Sequence, residues 1–106
     1  MDNDTTDFLE RATNLVEEHL DDPDFSAEDF CDSLFFSRSQ CHRKLKAATG
    51  FSATEFIRRI RLEKAAEMIQ TDDLRIAEVA LKVGFNNFSY FAKCFREQYG
   101  CNPSEY

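Results

Sequence analysis

The fold of this chain can be inferred from one segment, Ser52 to Gln70, with the sequence SATEFIRRIRLEKAAEMIQ. Ser52 and Glu55 have the spacing of a capping box, and neither glycine nor proline interrupts the stretch, so it predicts one long helix. At about 100° per residue, the apolar residues of its two halves fall on opposite sides. They are Phe56, Ile57 and Ile60 in the first half and Leu62, Ala65, Ala66 and Ile69 in the second. We therefore expect the helix to bury its first half in one small core and its second half in another.

The segments that flank this helix resemble each other. Shifted by 50 residues, residues 26–51 align with residues 76–101 without a gap. Five aligned pairs are identical, namely Ala27/Ala77, Glu28/Glu78, Phe35/Phe85, Ser39/Ser89 and Gly50/Gly100. Basic residues recur at Arg43/Lys93 and Lys46/Arg96, and we interpret the pattern as a duplication. Each copy combines a short helix, a tight turn and a longer helix with a polar face, which is typical of a helix-turn-helix unit.

Length and composition favour a small helical protein. The 106 residues suffice for one domain or two very small subdomains. Eleven phenylalanines supply apolar volume for a core, and only three glycines and two prolines argue against a turn-rich β fold. The four cysteines form no CxxC pair, so we expect reduced thiols in a cytoplasmic protein. No apolar run is long enough to span a membrane, and the acidic start does not resemble a signal peptide.

The predicted architecture is all-α, with two helix-turn-helix subdomains joined by the long linker helix. We assign residues 1–7 to a flexible start, 8–51 to the first subdomain, 52–70 to the linker helix and 71–106 to the second subdomain. The first helix is expected to run from Phe8 to Leu20 and to end at the segment around Pro23.

The charge of the chain is unevenly distributed. The overall net charge is −7, but residues 1–32 contain twelve acidic residues and one arginine, a balance of −11. Residues 33–106 contain twelve basic and eight acidic residues, a balance of +4. The acidic total therefore does not argue against nucleic-acid binding by the later segment.

Two stretches carry a family resemblance: TGFSATEFIRRIRLEKAA (Thr49–Ala66) and IAEVALKVGFNNFSYFAKCFREQYGCNPSEY (Ile76–Tyr106). They resemble the DNA-binding domain of AraC-type (AraC/XylS) bacterial transcription regulators, and the resemblance covers about residues 8–106. The leading stretch, which runs from Phe8 through Phe25 and Ser26 to Ser37, Arg38 and Ser39, is most similar to output domains of Bacteroidetes hybrid two-component regulators. The resemblance implies seven helices, with two recognition helices that enter successive major grooves about 34 Å apart.

The resemblance implies double-stranded DNA as the partner and no cofactor. RNA polymerase and upstream receiver or sensor modules of the same chain are further candidate partners, and dimerisation is expected only in the full-length regulator. The acidic residues 1–32 leave a second hypothesis open, in which the same fold is a protein-interaction module that docks through its acidic N-terminal helix.

Eight polar residues of the two predicted recognition helices are candidates for contacts with base edges. They are Arg38, Ser39, His42 and Arg43 in the first helix, and Asn87, Ser89, Tyr90 and Lys93 in the second. Arg43 can form a bidentate contact with O6 and N7 of guanine, whereas Lys93 suits a phosphate as well as a base. Phe88 can contact a thymine methyl group or pack inward. Because the second helix has fewer strong hydrogen-bonding groups, we expect it to read DNA more weakly or through its shape.

A second group of residues is predicted to contact phosphates, which gives salt-sensitive affinity without sequence preference. It comprises Ser37, Lys44, Lys46, Arg58, Arg59, Asn86 and Arg96. Each of these residues could equally be a solvated surface group. Arg61 is different, because its place in the middle of the linker helix favours a structural ion pair.

Metal and enzyme functions are disfavoured by the spacing of the reactive residues. Cys41 and His42 are adjacent in a predicted helix and point about 100° apart, so they cannot readily share a metal. Cys94 and Cys101 lack a matching pair of ligands. The chain has no glycine-rich phosphate loop and no nucleophile–base constellation, so we predict neither a metal site nor an enzyme.

Overall fold

The computed structural model describes residues 3–106, and within this range it contains six α-helices and one 3₁₀ helix. The α-helices are α1 (Asn3–Glu18), α2 (Ala27–Ser33), α3 (Arg38–Thr49), α4 (Ala53–Thr71), α5 (Ile76–Lys82) and α6 (Phe88–Tyr99). The predicted seventh helix is the short 3₁₀ helix Pro103–Glu105, which has proline as its first residue. No β-strand occurs among the described residues, and the prediction of an all-α fold is confirmed.

The chain forms two compact units, each with its own core. The first unit comprises the described residues up to His19 together with Phe25–Ile60, and the second comprises Leu20–Asp24 together with Arg61–Tyr106. The first contains the α2–α3 helix-turn-helix, and the second contains the α5–α6 helix-turn-helix.

Helix α4 changes its buried face halfway along, as the sequence predicts. The side chains of Phe56, Ile57 and Ile60 belong to the core of the first unit. Leu62, Ala65 and Ala66 are buried in the core of the second unit, and Ile69 packs against it. The Ser52–Glu55 capping box starts the helix: the Glu55 amide donates to Ser52 Oγ at 3.2 Å, and the Ser52 amide donates to Glu55 Oε1 at 3.1 Å.

The first helix differs from its predicted bounds at both ends. Residues 3–7, predicted to be part of a flexible start, belong to α1, while Met1 and Asp2 lie outside the described residues. At the other end α1 stops at Glu18, because the His19 amide donates to the Val16 carbonyl oxygen (3.2 Å), three residues back, so the α-helical bonding pattern ends there. The His19 ring is close to the Leu15 carbonyl oxygen at Nδ1 (3.0 Å) and stacks on Phe25 at a centroid distance of 4.3 Å. Leu20, predicted to be the last residue of α1, instead packs against the core of the second unit.

The gapless alignment of the two repeats is wrong in their first halves. In the first turn, Phe36 N–H donates to the Cys31 carbonyl oxygen, and in the second turn, Phe85 N–H donates to the Ala80 carbonyl oxygen. The residues that form these equivalent bonds are separated by 49 positions, not by 50. The buried residues of α2 and α5 follow the same shift: Phe30, Cys31 and Leu34 correspond to Val79, Ala80 and Val83. The recognition helices do keep the shift of 50, because their caps are Ser37 and Gly50 in α3, and Asn87 and Gly100 in α6.

It follows that the second turn contains one residue more than the first. Three of the five identical pairs, Ala27/Ala77, Glu28/Glu78 and Phe35/Phe85, therefore do not occupy equivalent places. The Ser39/Ser89 and Gly50/Gly100 pairs do.

Arg61 anchors the turn that leads into α6. Its guanidinium is buried and donates from Nη1 to the carbonyl oxygens of Gly84 (2.8 Å) and Val83 (3.3 Å). From Nη2 it donates to the carbonyl oxygen of Asp22 at 2.8 Å. The residue is structural, as expected, but it acts through main-chain carbonyls rather than through the predicted ion pair. Burial lowers the pKa of Arg61, an effect that the nearby Asp22 opposes.

Candidate nucleic-acid interface

Helix α3 exposes a strongly basic surface. Ser37 caps the helix by accepting from the Gln40 amide at 3.2 Å, and the fully buried Cys41 and Leu45 attach one side of the helix to the core. The helix contains four basic residues and no acidic residue. Its predicted DNA-contacting side chains, together with Ser37, are all exposed: Ser37, Arg38, Ser39, His42, Arg43, Lys44 and Lys46.

These side chains are distributed over three sides of α3. At helical spacing, Ser39, Arg43 and Lys46 lie opposite the buried Cys41 and Leu45. Lys46 Nζ also donates to the Gly50 carbonyl oxygen at 3.1 Å, which holds it at the C-terminal end of the helix. The outermost strip of α3 therefore has the composition expected of a recognition surface, with Arg43 at its centre.

One flank of α3 borders an open groove. Arg38, Ser39 and His42 line it together with residues of α2 and of the start of α4, and its volume is about 320 Å³. The other residues of the groove are Ala27, Cys31, Ser52, Ala53 and Thr54. Arg38 and His42 thus lie side by side, one helical turn apart, as a polar flank of the recognition helix.

Lys44 lies on the other flank and has different neighbours. Its ammonium is 5.5 Å from the centroid of the Phe8 ring and 5.1 Å from that of Phe36. Such cation–π contacts hold the ammonium beside α1. Lys44 is therefore not grouped with Ser39 and Arg43.

Helix α6 repeats the plan of α3 with less charge. Asn87 caps it, since its Oδ1 accepts from the Tyr90 amide at 2.9 Å, and Phe91, Cys94 and Phe95 are buried. The predicted contact residues are all exposed: Asn86, Asn87, Ser89, Tyr90, Lys93 and Arg96. Ser89, Lys93 and Arg96 occupy the positions of Ser39, Arg43 and Lys46, but the acidic Glu97 follows them.

Two aromatic residues are exposed at the start of α6. Phe88, the first residue of the helix, is 49% exposed, and its ring centroid is 6.2 Å from that of the buried Phe91. Tyr90 is 47% exposed, and its ring centroid lies 6.0 Å from that of Phe85. Phe88 is thus neither packed fully inward nor fully available for a contact with DNA, because its ring leans on the core and still presents much of its surface to solvent.

The remaining predicted phosphate contacts are held by local interactions. The Arg59 guanidinium lies 4.5 Å from the centroid of the Phe51 ring, and both Arg58 and Arg59 are half-buried. Arg96 Nη1 donates to Asn102 Oδ1 at 3.1 Å. Arg59 and Arg96 are thus positioned by neighbours of their own unit.

Comparison with known proteins identifies the family. A family model described as a helix-turn-helix domain matches residues 30–106, which is most of the chain. A solved transcriptional regulator from Chromobacterium violaceum, described as containing an AraC-type DNA-binding domain, shares the fold at a TM-score of 0.87 and 24% identity, over 98% of this chain and 92% of that one. The chain belongs to the AraC-type helix-turn-helix family.

Other relatives of this AraC-type domain include parts of longer signalling proteins. Histidine kinase P4 from Formosa agariphila is 36% identical over 93% of the chain, which spans only 7% of that kinase. The C-terminal domain of the two-component response regulator yesN from Fusobacterium nucleatum is 26% identical, with a TM-score of 0.82 over 93% of this chain and 96% of that domain. The DNA-binding domain of AdpA, solved in complex with a target DNA, is 26% identical, with a TM-score of 0.83 over 92% and 87% of the two chains.

The buried Cys41 of this AraC-type domain is unsuited to metal binding. Cys31, Cys41 and Cys94 are buried, and burial together with a hydrogen bond to Cys31 raises the pKa of Cys41 to about 12. A thiol that stays protonated is a poor metal ligand and a poor nucleophile. Within residues 3–106, no cluster of three or more His, Cys, Asp or Glu residues could hold a metal ion. None of the helices in the same range is long and apolar enough to cross a membrane.

Sequence reasoning missed one unusual residue near this interface. Phe35, in the turn before α3, has a φ of +62° and is 89% exposed. A phenylalanine in the left-handed region is uncommon. The shift of 50 pairs Phe35 with the buried Phe85, whereas the shift of 49 pairs it with Gly84, which also has a positive φ. Comparing the apolar patterns of α2 and α5 separately from those of α3 and α6 could have revealed this shift.

Proposed function

We propose that this domain binds double-stranded DNA sequence-specifically, with α3 and α6 entering successive major grooves. It is the output domain of a bacterial transcription regulator and requires neither a cofactor nor catalysis. Membership of a family of DNA-binding regulators supports this function, and AdpA offers a relative that was solved on its target DNA.

The observation that carries the proposal is the recurrence of one exposed pattern on both recognition helices. Ser39, Arg43 and Lys46 on α3 correspond to Ser89, Lys93 and Arg96 on α6, between equivalent N-terminal and C-terminal caps. A helix that enters the major groove needs donors for base edges in its outermost strip and cations for the flanking phosphates. Both helices have this composition.

Individual roles follow from chemistry and position. Arg43 forms a bidentate contact with guanine, whereas Ser39 and His42 can each contact several kinds of base edge. Arg38, Asn87, Ser89 and Tyr90 complete the base-contacting set, and Lys93 contacts a base or a phosphate. The phosphate contacts come from Ser37, Lys46, Arg58, Arg59, Asn86 and Arg96. Lys44, held above two aromatic rings, is the weakest member of that set.

The domain acts as one part of a longer cytoplasmic regulator of the two-component type. Histidine kinase P4 and the yesN regulator support this assignment, because both names belong to signalling proteins. Receiver or sensor modules and RNA polymerase are its further partners. Dimerisation depends on the longer protein.

The test is an in-vitro selection on random duplexes at low salt. We compare the native domain with an Arg43→Ala, Lys93→Ala double variant and with a control, Arg11→Ala, Lys64→Ala, that removes equal charge from α1 and α4. The native domain and the control are expected to enrich two short motifs about 10 bp apart, which the first variant blurs. Equal blurring by the control would show that net charge alone, rather than these two positions, drives binding.

A second candidate function is a protein-interaction module that docks through α1. Exposed acidic side chains along this helix favour it: Asp4, Asp7, Glu10, Glu17 and Glu18. Such a module would bind no duplex in a salt-dependent manner. The salt dependence measured on the selected duplexes therefore separates the two functions.

A further inference from the structure

The two recognition helices differ most on one matching flank. With their caps superimposed at the shift of 50, Arg38 and His42 of α3 correspond to Phe88 and Ala92 of α6. Arg38 and His42 are exposed polar side chains beside an open groove. Phe88 and Ala92 are apolar; Phe88 is exposed, and Ala92 is half-buried. The same strip of the helix is therefore a hydrogen-bonding surface in one unit and an apolar surface in the other.

Phe88 is held in a defined place on this apolar flank. Its ring leans against Phe91, a residue with no exposed surface, at a centroid distance of 6.2 Å. The ring is therefore supported on one side by the core while 49% of the side chain faces solvent. Because Phe88 is the first residue of α6, it lies in the N-terminal part of the helix, where a recognition helix contacts base edges.

An apolar ring in this position has one suitable target in the major groove. The edges of guanine, cytosine and adenine present hydrogen-bond donors and acceptors, which a phenyl ring cannot satisfy, whereas thymine presents a C5-methyl group beside its O4 acceptor. Contact with a polar edge would remove water from that edge without replacing its hydrogen bonds. A methyl group loses only unfavourable hydration.

We infer that Phe88 determines specificity by contacting thymine methyl groups in the half-site read by α6, while the equivalent flank of α3 reads hydrogen-bonding edges through Arg38 and His42. The inference rests on the proposed function, since it names the base chemistry that the second recognition helix selects. The neighbouring Tyr90 points to a different side of the helix, about 160° from Phe88 at helical spacing, and does not form part of this contact.

The test replaces thymine by deoxyuridine, which removes the C5-methyl group and preserves base pairing. Fluorescence anisotropy measures binding of the native domain to the selected two-motif duplex, with the replacement made in either half-site. For each contacted methyl group in the α6 half-site, we expect affinity to fall about fourfold, the effect of one buried methyl-sized group. Replacement in the α3 half-site leaves the affinity within twofold.

Two variants assign the effect to Phe88. Phe88→Ala binds the thymine and deoxyuridine duplexes equally, whereas Phe88→Leu, which keeps an apolar side chain, retains part of the preference. Circular dichroism confirms that both variants are folded. Discrimination that persists in Phe88→Ala would overturn the inference, as would a selected α6 half-site without thymine or a native domain that is indifferent to the methyl group. Those three results leave the DNA-binding function intact, whereas absence of binding to any duplex overturns both proposals.

Discussion

The turns of the two helix-turn-helix units place a residue in the left-handed region in different ways. In the second unit this residue is Gly84, with a φ of +88°, and the Arg61 guanidinium contacts its carbonyl oxygen. In the first unit it is Phe35, with a φ of +62° and a side chain that is 89% exposed. The difference shows that the turn geometry itself tolerates a side chain, and that the packing of Arg61 makes glycine necessary in the second unit.

The largest expected effect comes from removing Arg61. An Arg61→Ala substitution leaves the carbonyl oxygens of Asp22, Val83 and Gly84 without their donor in a buried site. We expect the free energy of unfolding to fall by about 3 kcal/mol, measured by urea denaturation. The exposed Arg75 is the control, and its replacement by alanine should change stability by less than about 0.5 kcal/mol. A loss below about 1 kcal/mol for Arg61→Ala would mean that water replaces the guanidinium at these carbonyls.

A Gly84→Ala substitution tests why the second turn requires glycine. The new Cβ would overlap the Arg61 guanidinium and approach the Leu20 carbonyl oxygen to 2.6 Å, in addition to the strain of a positive φ. We expect a destabilisation of at least about 2 kcal/mol. Gly100→Ala is the matched control, because Gly100 has a φ of +78° and no atom within 4 Å of its added Cβ. Equal losses at the two positions would show that backbone strain alone matters.

The contrast between the recognition helices predicts unequal contributions to DNA binding. Helix α3 has four basic residues and no acidic residue, whereas α6 has Lys93 and Arg96 followed by Glu97. We expect Arg43→Ala to weaken binding to the selected duplex by about 10-fold and to relax the preference for one guanine. We expect Lys93→Ala to cost less and to reduce the salt slope by about one unit. Anisotropy titrations over a range of salt concentrations measure both, and the reverse order would make α6 the dominant reader.

Much of the fold could be predicted because local signals agreed with the packing. The Ser37 and Asn87 caps, the glycines that end α3 and α6, and the two faces of α4 all follow from side-chain chemistry and helical spacing. The one-residue difference between the turns was not visible, because chance identities such as Phe35/Phe85 favoured a gapless alignment.

The places of the candidate contact residues were harder to predict. Periodicity correctly indicated which side chains of α3 and α6 are exposed, since burial of Cys41, Leu45, Phe91 and Phe95 determines the outward face. The contacts of Lys44 with Phe8 and Phe36 involve residues that are distant in sequence, and no local pattern specifies them. The same is true of Arg61, whose carbonyl partners lie in two separate loops.

The smallest expected effect is a stabilising one, at Phe35. A Phe35→Gly substitution removes the strain of a positive φ, which costs a non-glycine residue about 1–2 kcal/mol. It also increases the entropy of the unfolded chain, which offsets roughly half of that gain. Because the ring is 89% exposed, little apolar burial is lost, and we expect a net stabilisation of about 0.5–1 kcal/mol.

Urea denaturation measures this change, and Phe36→Gly provides the comparison within the same turn. Phe36 packs against the core of the first unit, with its ring 5.8 Å from that of Phe8, so glycine should destabilise the protein there. If Phe35→Gly is destabilising as well, the Phe35 ring contributes to packing in solution. A stabilised variant with unchanged DNA affinity would instead show that the Phe35 ring adds only backbone strain to the first turn, and that a glycine suits the left-handed position of both turns.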